Sequence, residues 1–144
     1  DVFYIGGTKV GAMFGEAVVF THGNMPKNFV TLVKQHGALL AKGWLLGVQF
    51  DTLFTDDLYC RIARHANDAA DRIREVLVER GYMLTFDAPT NQIFITLDNA
   101  TSERLQRNVR LGFMEKADDT HTVMRICTSW ATTDEQVEQL IALL

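Results

Sequence analysis

The sequence has little of what marks secreted or membrane-spanning proteins. Its 144 residues include only two cysteines, Cys60 and Cys127, which lie far apart and form neither a disulfide framework nor a metal knuckle. We therefore expect a reducing compartment, which we take to be the cytoplasm, and no bound metal. No apolar run reaches the length of a transmembrane helix and no stretch has the pattern of a signal peptide, so we expect no membrane partner.

Positive charge is also scarce. Acidic residues number 18 against 14 lysines and arginines, for a net charge of −4, whereas a nucleic-acid-binding surface needs a basic stripe. We therefore expect no nucleic-acid partner. A chain of this length is long enough to form one domain and bury roughly two thirds of its unfolded surface. It opens at Asp1 without a methionine and enters an apolar segment at once, so we expect it to be a piece of a longer protein.

Apolar patterning predicts the elements of the first half. Continuous apolar runs at 2–5 and 17–20 predict two short buried strands. Asn24 and Pro26 predict the start of a helix, and the leucine-rich segment 38–54 predicts one or two buried helices. The clearest element is a long helix over 56–81, because its apolar residues recur every three or four positions. These are Leu58, Ile62, Ala66, Ala69, Ile73 and Val76.

The second half alternates strands and helices. After Gly81, a left-handed helix cap, strand candidates lie at 82–86, 92–97 and 122–130, with a short helix at 101–112. A last helix opens at Thr132 or Thr133, either of which forms a capping box with Glu135 or Gln136. The predicted order is strand, strand, helix, strand, helix, which suits a small α+β domain packed on the long helix. Trp44 and Trp130 are expected to be packing residues.

The glycine-rich segment GGTKVG, residues 6–11, places one lysine between the first two strands. It is not a phosphate-binding Walker motif, because Val10 follows Lys9 where that motif has serine or threonine. Two interpretations remain open on the residues alone. Lys9 is either a surface lysine in a turn or a Schiff-base lysine, whose amine attacks a carbonyl after losing its proton in a desolvated pocket.

The segment GGTKVGAMFGEAVVF, residues 6–20, resembles a motif of the pyridoxal-phosphate enzymes of the threonine aldolase and β-eliminating lyase family. This family belongs to the aspartate-aminotransferase fold type. The resemblance implies that Lys9 carries pyridoxal 5′-phosphate as an internal aldimine, with Gly7 and Thr8 beside the cofactor. Val10 stands where the family often has asparagine, which affects a side-chain contact next to the lysine.

The resemblance continues in residues 34–67 and in VMRICTSWATTDEQVE, residues 123–138. It implies that Arg125 binds the α-carboxylate of the substrate. A planar guanidinium suits this role because it forms two parallel charge-assisted hydrogen bonds to a carboxylate. On a strand, Arg125 shares a face with Val123 and Cys127.

The resemblance also implies an architecture. We expect residues 1–23 to be the last strands of a large α/β cofactor domain, 24–80 to be connecting helices, and 81–144 to be a small C-terminal α+β domain. The groups that hold the cofactor ring and phosphate would then lie upstream of this chain. The isolated chain is expected to be inactive, and the complete enzyme to be a homodimer or homotetramer.

The function implied is that of the C-terminal part of a lyase acting on a small amino-acid substrate. It would cleave β-hydroxy-α-amino acids by retro-aldol chemistry, converting threonine to glycine and acetaldehyde. Two alternatives stay open. One is another pyridoxal-phosphate reaction on the same fold, such as β-elimination or transamination. The other is an inactive module with a structural or dimerising role.

Overall fold

The computed structural model describes residues 1–144 and divides the chain into two compact units. The N-terminal unit is Asp1–Arg61 and the C-terminal unit is Ile62–Leu144. The division into 1–23, 24–80 and 81–144 separates segments by inferred role rather than by packing, and it stays a prediction. None of the helices combines the length and the apolar character that crossing a membrane requires.

The N-terminal unit contains a hairpin followed by two helices. Its elements are β1 (Val2–Gly6), β2 (Glu16–Phe20), α1 (Phe29–Gln35) and α2 (Trp44–Phe54). The two strands pair in antiparallel register, with Val2 opposite Phe20 and Gly6 opposite Glu16. The two predicted strands are therefore confirmed. The predicted helix after Asn24 and a helix within 38–54 are confirmed as well.

The prediction that these elements are buried is wrong for most of their residues. Tyr4 is 70% exposed and Val18 is 52% exposed, because a two-stranded hairpin here has no further strand beside it. In α2 only Phe50 and Leu53 are buried. Trp44 and, in the C-terminal unit, Trp130 are 63% and 54% exposed, so neither packs as expected.

The C-terminal unit is built on the long helix α3 (Leu58–Glu79), in which the boundary between the units falls. The remaining elements are β3 (Met83–Leu84), β4 (Gln92–Asp98), α4 (Asn99–Gln106), β5 (Gly112–Lys116), β6 (His121–Cys127) and α5 (Asp134–Leu143). The four strands form an antiparallel sheet in the order β3-β4-β6-β5. The strand β5 was not predicted. The predicted strand at 82–86 corresponds to β3, which is only two residues long.

The apolar period of α3 explains its packing. Its buried residues follow the predicted face and are Ala66, Ala69, Ala70, Ile73 and Leu77. Gly81, two residues beyond the helix, has a φ of +78° and confirms the predicted left-handed cap. At the other end of the unit, Thr133 and Gln136 form the capping box that begins α5.

The core lies between the helices and one face of the sheet. Alternate residues of β4 and β6 point to this core, and they are Ile93, Ile95, Leu97, Met124 and Ile126. Ile73 of α3, Leu105 of α4 and Val137 of α5 pack against them. The opposite face of the sheet therefore carries the intervening residues, Arg125 among them.

Candidate functional site

Lys9 lies in a short helical turn that connects β1 to β2. The backbone N–H groups of Val10 and Ala12 both donate to the carbonyl of Gly7, at 3.0 and 2.9 Å, and close a one-turn 3₁₀ helix over Thr8–Val10. Gly11 ends this turn with a φ of +99°, a conformation that strongly favours glycine. The turn presents Thr8 and Lys9 to solvent.

Tight packing fixes the base of this loop. Gly7 is buried, and a Cβ atom at this position would lie 2.6 Å from the Cβ of Ala12 and 3.3 Å from the ring of Phe50. Val10 is only 4% exposed. Any side chain at position 7 would therefore displace the turn that carries Lys9.

Polar contacts tie the rest of the loop to neighbouring helices. The Met13 N–H donates to Oε1 of Gln49 at 2.7 Å, and Nε2 of Gln49 donates to the carbonyl of Phe14 at 3.3 Å. The Tyr59 hydroxyl donates to the carbonyl of Gly6 at 2.8 Å. Sequence reasoning missed Gln49, although a single amide within the apolar segment WLLGVQF was a usable signal.

The ε-amine of Lys9 is exposed and takes part in none of the ion pairs or side-chain hydrogen bonds of the structure. This differs from the prediction that buried strands would desolvate the lysine, because those strands are themselves largely exposed. The structure thus shows a primary amine without a partner on a loop that is held in place. Such an amine is accessible from solvent, and residues 1–144 do not themselves form the desolvated pocket that attack on an aldehyde requires.

Arg125 lies in the middle of β6, on the sheet face opposite the helices. Its side chain is half-buried, and Nη1 donates to Oε1 of Gln92 at 3.2 Å. No carboxylate pairs with it, whereas Arg72 pairs with Asp134 and Glu138. Arg125 is therefore a cation without a counter-ion, which leaves its charge free for an external carboxylate.

A cavity of about 310 Å³ adjoins this arginine within the C-terminal unit. Its lining includes two arginines, Arg110 and Arg125, together with apolar residues of the helices such as Ile73, Val137 and Leu140. A volume of this size is at the lower end of the range for small-molecule sites. It combines apolar walls with few polar groups, an arrangement that suits a ligand of amino-acid size.

The histidines are bonded within the protein or stand on its surface. His65 of α3 lies 2.8 Å from the carbonyl of Thr132. The ring of His121 lies 3.0 Å from the carboxylate of Asp118, and the hydroxyl and N–H of Thr120 together with this ring hold the pKa of Asp118 well below its usual range. His22 and His36 are exposed. No group of three or more histidine, cysteine or acidic side chains is placed to hold a metal ion.

Comparisons with known proteins place the fold. The chain is 30% identical over 141 residues to the low specificity L-threonine aldolase of Pseudomonas aeruginosa, a match that covers 97% of this chain and 40% of that protein. The structure matches threonine aldolase of Leishmania major with a TM-score of 0.92 and 38% identity, over 99% of this chain and 42% of that one. Serine palmitoyltransferase of Sphingomonas wittichii matches with a TM-score of 0.66 and 19% identity, over 99% of this chain and 38% of that one. No family model matches the chain.

These matches identify the fold class of the chain and then the proteins to which it is related. The mixed helices and open sheets are the C-terminal portion of the fold that threonine aldolase and serine palmitoyltransferase share, so the predicted fold class is confirmed. Within that class the chain is a homologue of the threonine aldolases over its whole length, as its motifs predicted. It spans 40% of the length of the curated relative.

Proposed function

We propose that the chain is the C-terminal part of a pyridoxal-phosphate-dependent lyase that cleaves β-hydroxy-α-amino acids, with threonine giving glycine and acetaldehyde. The observation that carries this proposal is the free ε-amine of Lys9 on its fixed loop, in a chain homologous throughout to threonine aldolases. The uncompensated charge of Arg125 supports it independently.

The residues of the loop fit a flat cofactor that carries an aldehyde. Lys9 would hold it through its ε-amine, with Thr8 and Gly7 beside it. Gly11 leaves open space where a side chain would stand, so a ligand can come close to the backbone. When bound, the cofactor supplies an electron sink for the electrons of the breaking Cα–Cβ bond.

The role of Arg125 is to hold the amino acid by its α-carboxylate. Its planar guanidinium can form two parallel hydrogen bonds to the two carboxylate oxygens, each worth about 1.5–3 kcal/mol. This grip fixes the orientation of the substrate, which is a large part of what positioning contributes to catalysis. We assign the base that accepts the proton of the β-hydroxyl, and the groups that hold the ring and phosphate, to the remaining part of the enzyme.

We also propose a cytoplasmic location and a homodimeric or homotetrameric enzyme. Both cysteines are free and exposed, which suits a reducing compartment. The many large apolar side chains exposed in the N-terminal unit support assembly with further protein, because exposed apolar surface is typical of interaction sites.

The test is chemical attachment at Lys9. Borohydride treatment of the full-length protein with pyridoxal phosphate should fix the cofactor onto the peptide that contains Lys9. The variant Lys9→Ala should lose the adduct and reduce kcat by roughly 10³-fold, within the range that a positioned catalytic group contributes. Lys34→Ala, which changes an exposed lysine of α1, is the control and should keep both. An adduct elsewhere, or full turnover by Lys9→Ala, would contradict the proposal.

A further inference from the structure

Two uncharged neighbours surround the guanidinium of Arg125 in the C-terminal unit. One is the side-chain amide of Gln92, and the other is the position left free by Gly112. We infer that Gln92 and Gly112 are positioning residues, which together hold the guanidinium in place and leave its charge free for the carboxylate of the amino acid. This inference rests on the proposed function of Arg125.

Strand register brings Gln92 to Arg125. Gln92 is opposite Cys127, and Arg125 is opposite Phe94, so all four side chains lie on the same sheet face. Gln92 and Arg125 are diagonal neighbours, which long side chains can bridge. The Nη1–Oε1 distance of 3.2 Å shows that they do so.

The neutrality of Gln92 is the important property. An amide oxygen accepts one of the five N–H groups of the guanidinium and leaves its net charge unchanged. A carboxylate at this position would pair with the arginine and compete with the substrate, as Asp71 pairs with Arg74 of α3. Gln92 therefore restrains Arg125 without neutralising it, which lowers the cost of ordering the side chain when a ligand binds.

Gly112 gives the backbone of Arg125 its space. It is opposite Arg125 in β5, and a Cβ atom there would lie 3.3 Å from the Arg125 carbonyl oxygen and 3.5 Å from its Nε. A side chain at this position would therefore press on the backbone that carries the guanidinium, while it would meet the arginine side chain at an ordinary van der Waals distance. Gly112 and Arg125 also both line the cavity of about 310 Å³.

Steady-state kinetics of the full-length enzyme test the inference. Gln92→Glu should raise KM for the amino acid about tenfold or more, equivalent to about 1.4 kcal/mol of binding, with kcat within about twofold. Gln92→Met, which keeps the length and removes the acceptor, should raise KM about threefold. Gly112→Ala should have an effect between these two. The control is Gln106→Glu, an equal change of charge on an exposed position of α4, which should leave KM unchanged.

A second measurement does not depend on turnover. Phenylglyoxal modifies accessible arginines, and peptide mass spectrometry gives the rate at Arg125. Glycine should slow this reaction in the parent enzyme by occupying the guanidinium. In Gln92→Glu the reaction should be slow from the start and insensitive to glycine, because the new carboxylate already occupies the site.

The outcomes separate the two proposals. If Arg125→Lys leaves KM unchanged and glycine gives no protection in the parent enzyme, the proposed role of Arg125 fails, and this inference fails with it. If Arg125→Lys raises KM but Gln92→Glu behaves like Gln106→Glu, only the positioning role is overturned. If the variants at 92 and 112 lower the melting temperature and kcat with KM unchanged, their role is merely structural and the inference is also overturned.

Discussion

Fourteen large apolar side chains are exposed in the N-terminal unit and six in the C-terminal unit, whereas only four of the eighteen buried apolar residues belong to the N-terminal unit. The C-terminal unit thus has a core of its own, which layers three helices on one sheet face. The N-terminal unit has a hairpin and helices with little apolar surface removed from water. We therefore expect the C-terminal unit to be stable without additional protein and the N-terminal unit to depend on it.

The largest test of this comparison is to separate the units. A chain of residues 58–144 should unfold in one cooperative transition, because it keeps α3 and every residue of the core cluster. A chain of residues 1–54 should show no such transition. Circular dichroism and calorimetry measure both, and cooperative melting of the shorter chain would break the comparison.

A matched pair of helix substitutions sharpens the same contrast. Leu77→Ala in α3 removes a fully buried side chain and should lower the free energy of unfolding by about 2–5 kcal/mol. Leu45→Ala in α2 truncates a side chain that is 41% exposed and should cost less than about 1 kcal/mol. Denaturant unfolding of the full chain gives both values, and equal costs would contradict the difference in packing.

Helix caps provide a smaller comparison. In α5 the N–H of Gln136 donates to the Thr133 hydroxyl at 3.2 Å, so Thr133→Ala should lower the free energy of unfolding by about 1 kcal/mol. Asn28 precedes α1 without a side-chain cap hydrogen bond, and Asn28→Ala should cost less than about 0.5 kcal/mol. Chemical denaturation would measure both, and the expectation fails if Asn28→Ala is the more damaging change.

The smallest effect on stability is expected from the titration of Asp118 with pH. The folded pKa of Asp118 lies below its ordinary value of 3.8, because Thr120 and His121 hydrogen-bond the carboxylate. The stabilising contribution of the Asp118 carboxylate is therefore complete at pH values above 3.8 and decreases as the pH falls toward the folded pKa. Asp118→Asn should reduce the loss of stability between pH 7 and pH 3, measured by urea midpoints. The neighbouring Asp119→Asn serves as the control, and an identical response of both variants would refute this account.

The sequence predicted the elements that have strong local signals. The helix α3 has a long apolar period and a glycine cap, so it was predicted close to its observed bounds, and the capping box of α5 predicted where that helix begins. The strand β5 was missed because its five residues begin with Gly112 and carry a bulge between Phe113 and Glu115, which disrupts alternation. The prediction of burial in the N-terminal unit was wrong, because an apolar run shows that a segment can be buried but does not show which other segment would cover it.

The candidate site, like the fold, was predicted in part from the sequence. The glycine-rich motif around Lys9 and the strand of Arg125 were visible in the sequence. The contacts that hold these residues depend on helix packing and strand register: Gln49 stands out as an amide in an apolar segment, but no local pattern shows which groups Gln49 and Gln92 bond. Gly7 was assigned to the cofactor, and the structure adds a steric reason for a glycine there. The attachment chemistry at Lys9 stays a prediction.

The two edges of the four-stranded sheet have a consequence for solubility. One edge, β3, is only two residues long, and the other, β5, is interrupted by its bulge and carries the exposed charges of Glu115 and Lys116. Short, bulged or charged edges are poor templates for a strand from another molecule. At high concentration this sheet should therefore resist joining with its copies into aggregates, even while one of its faces stays open.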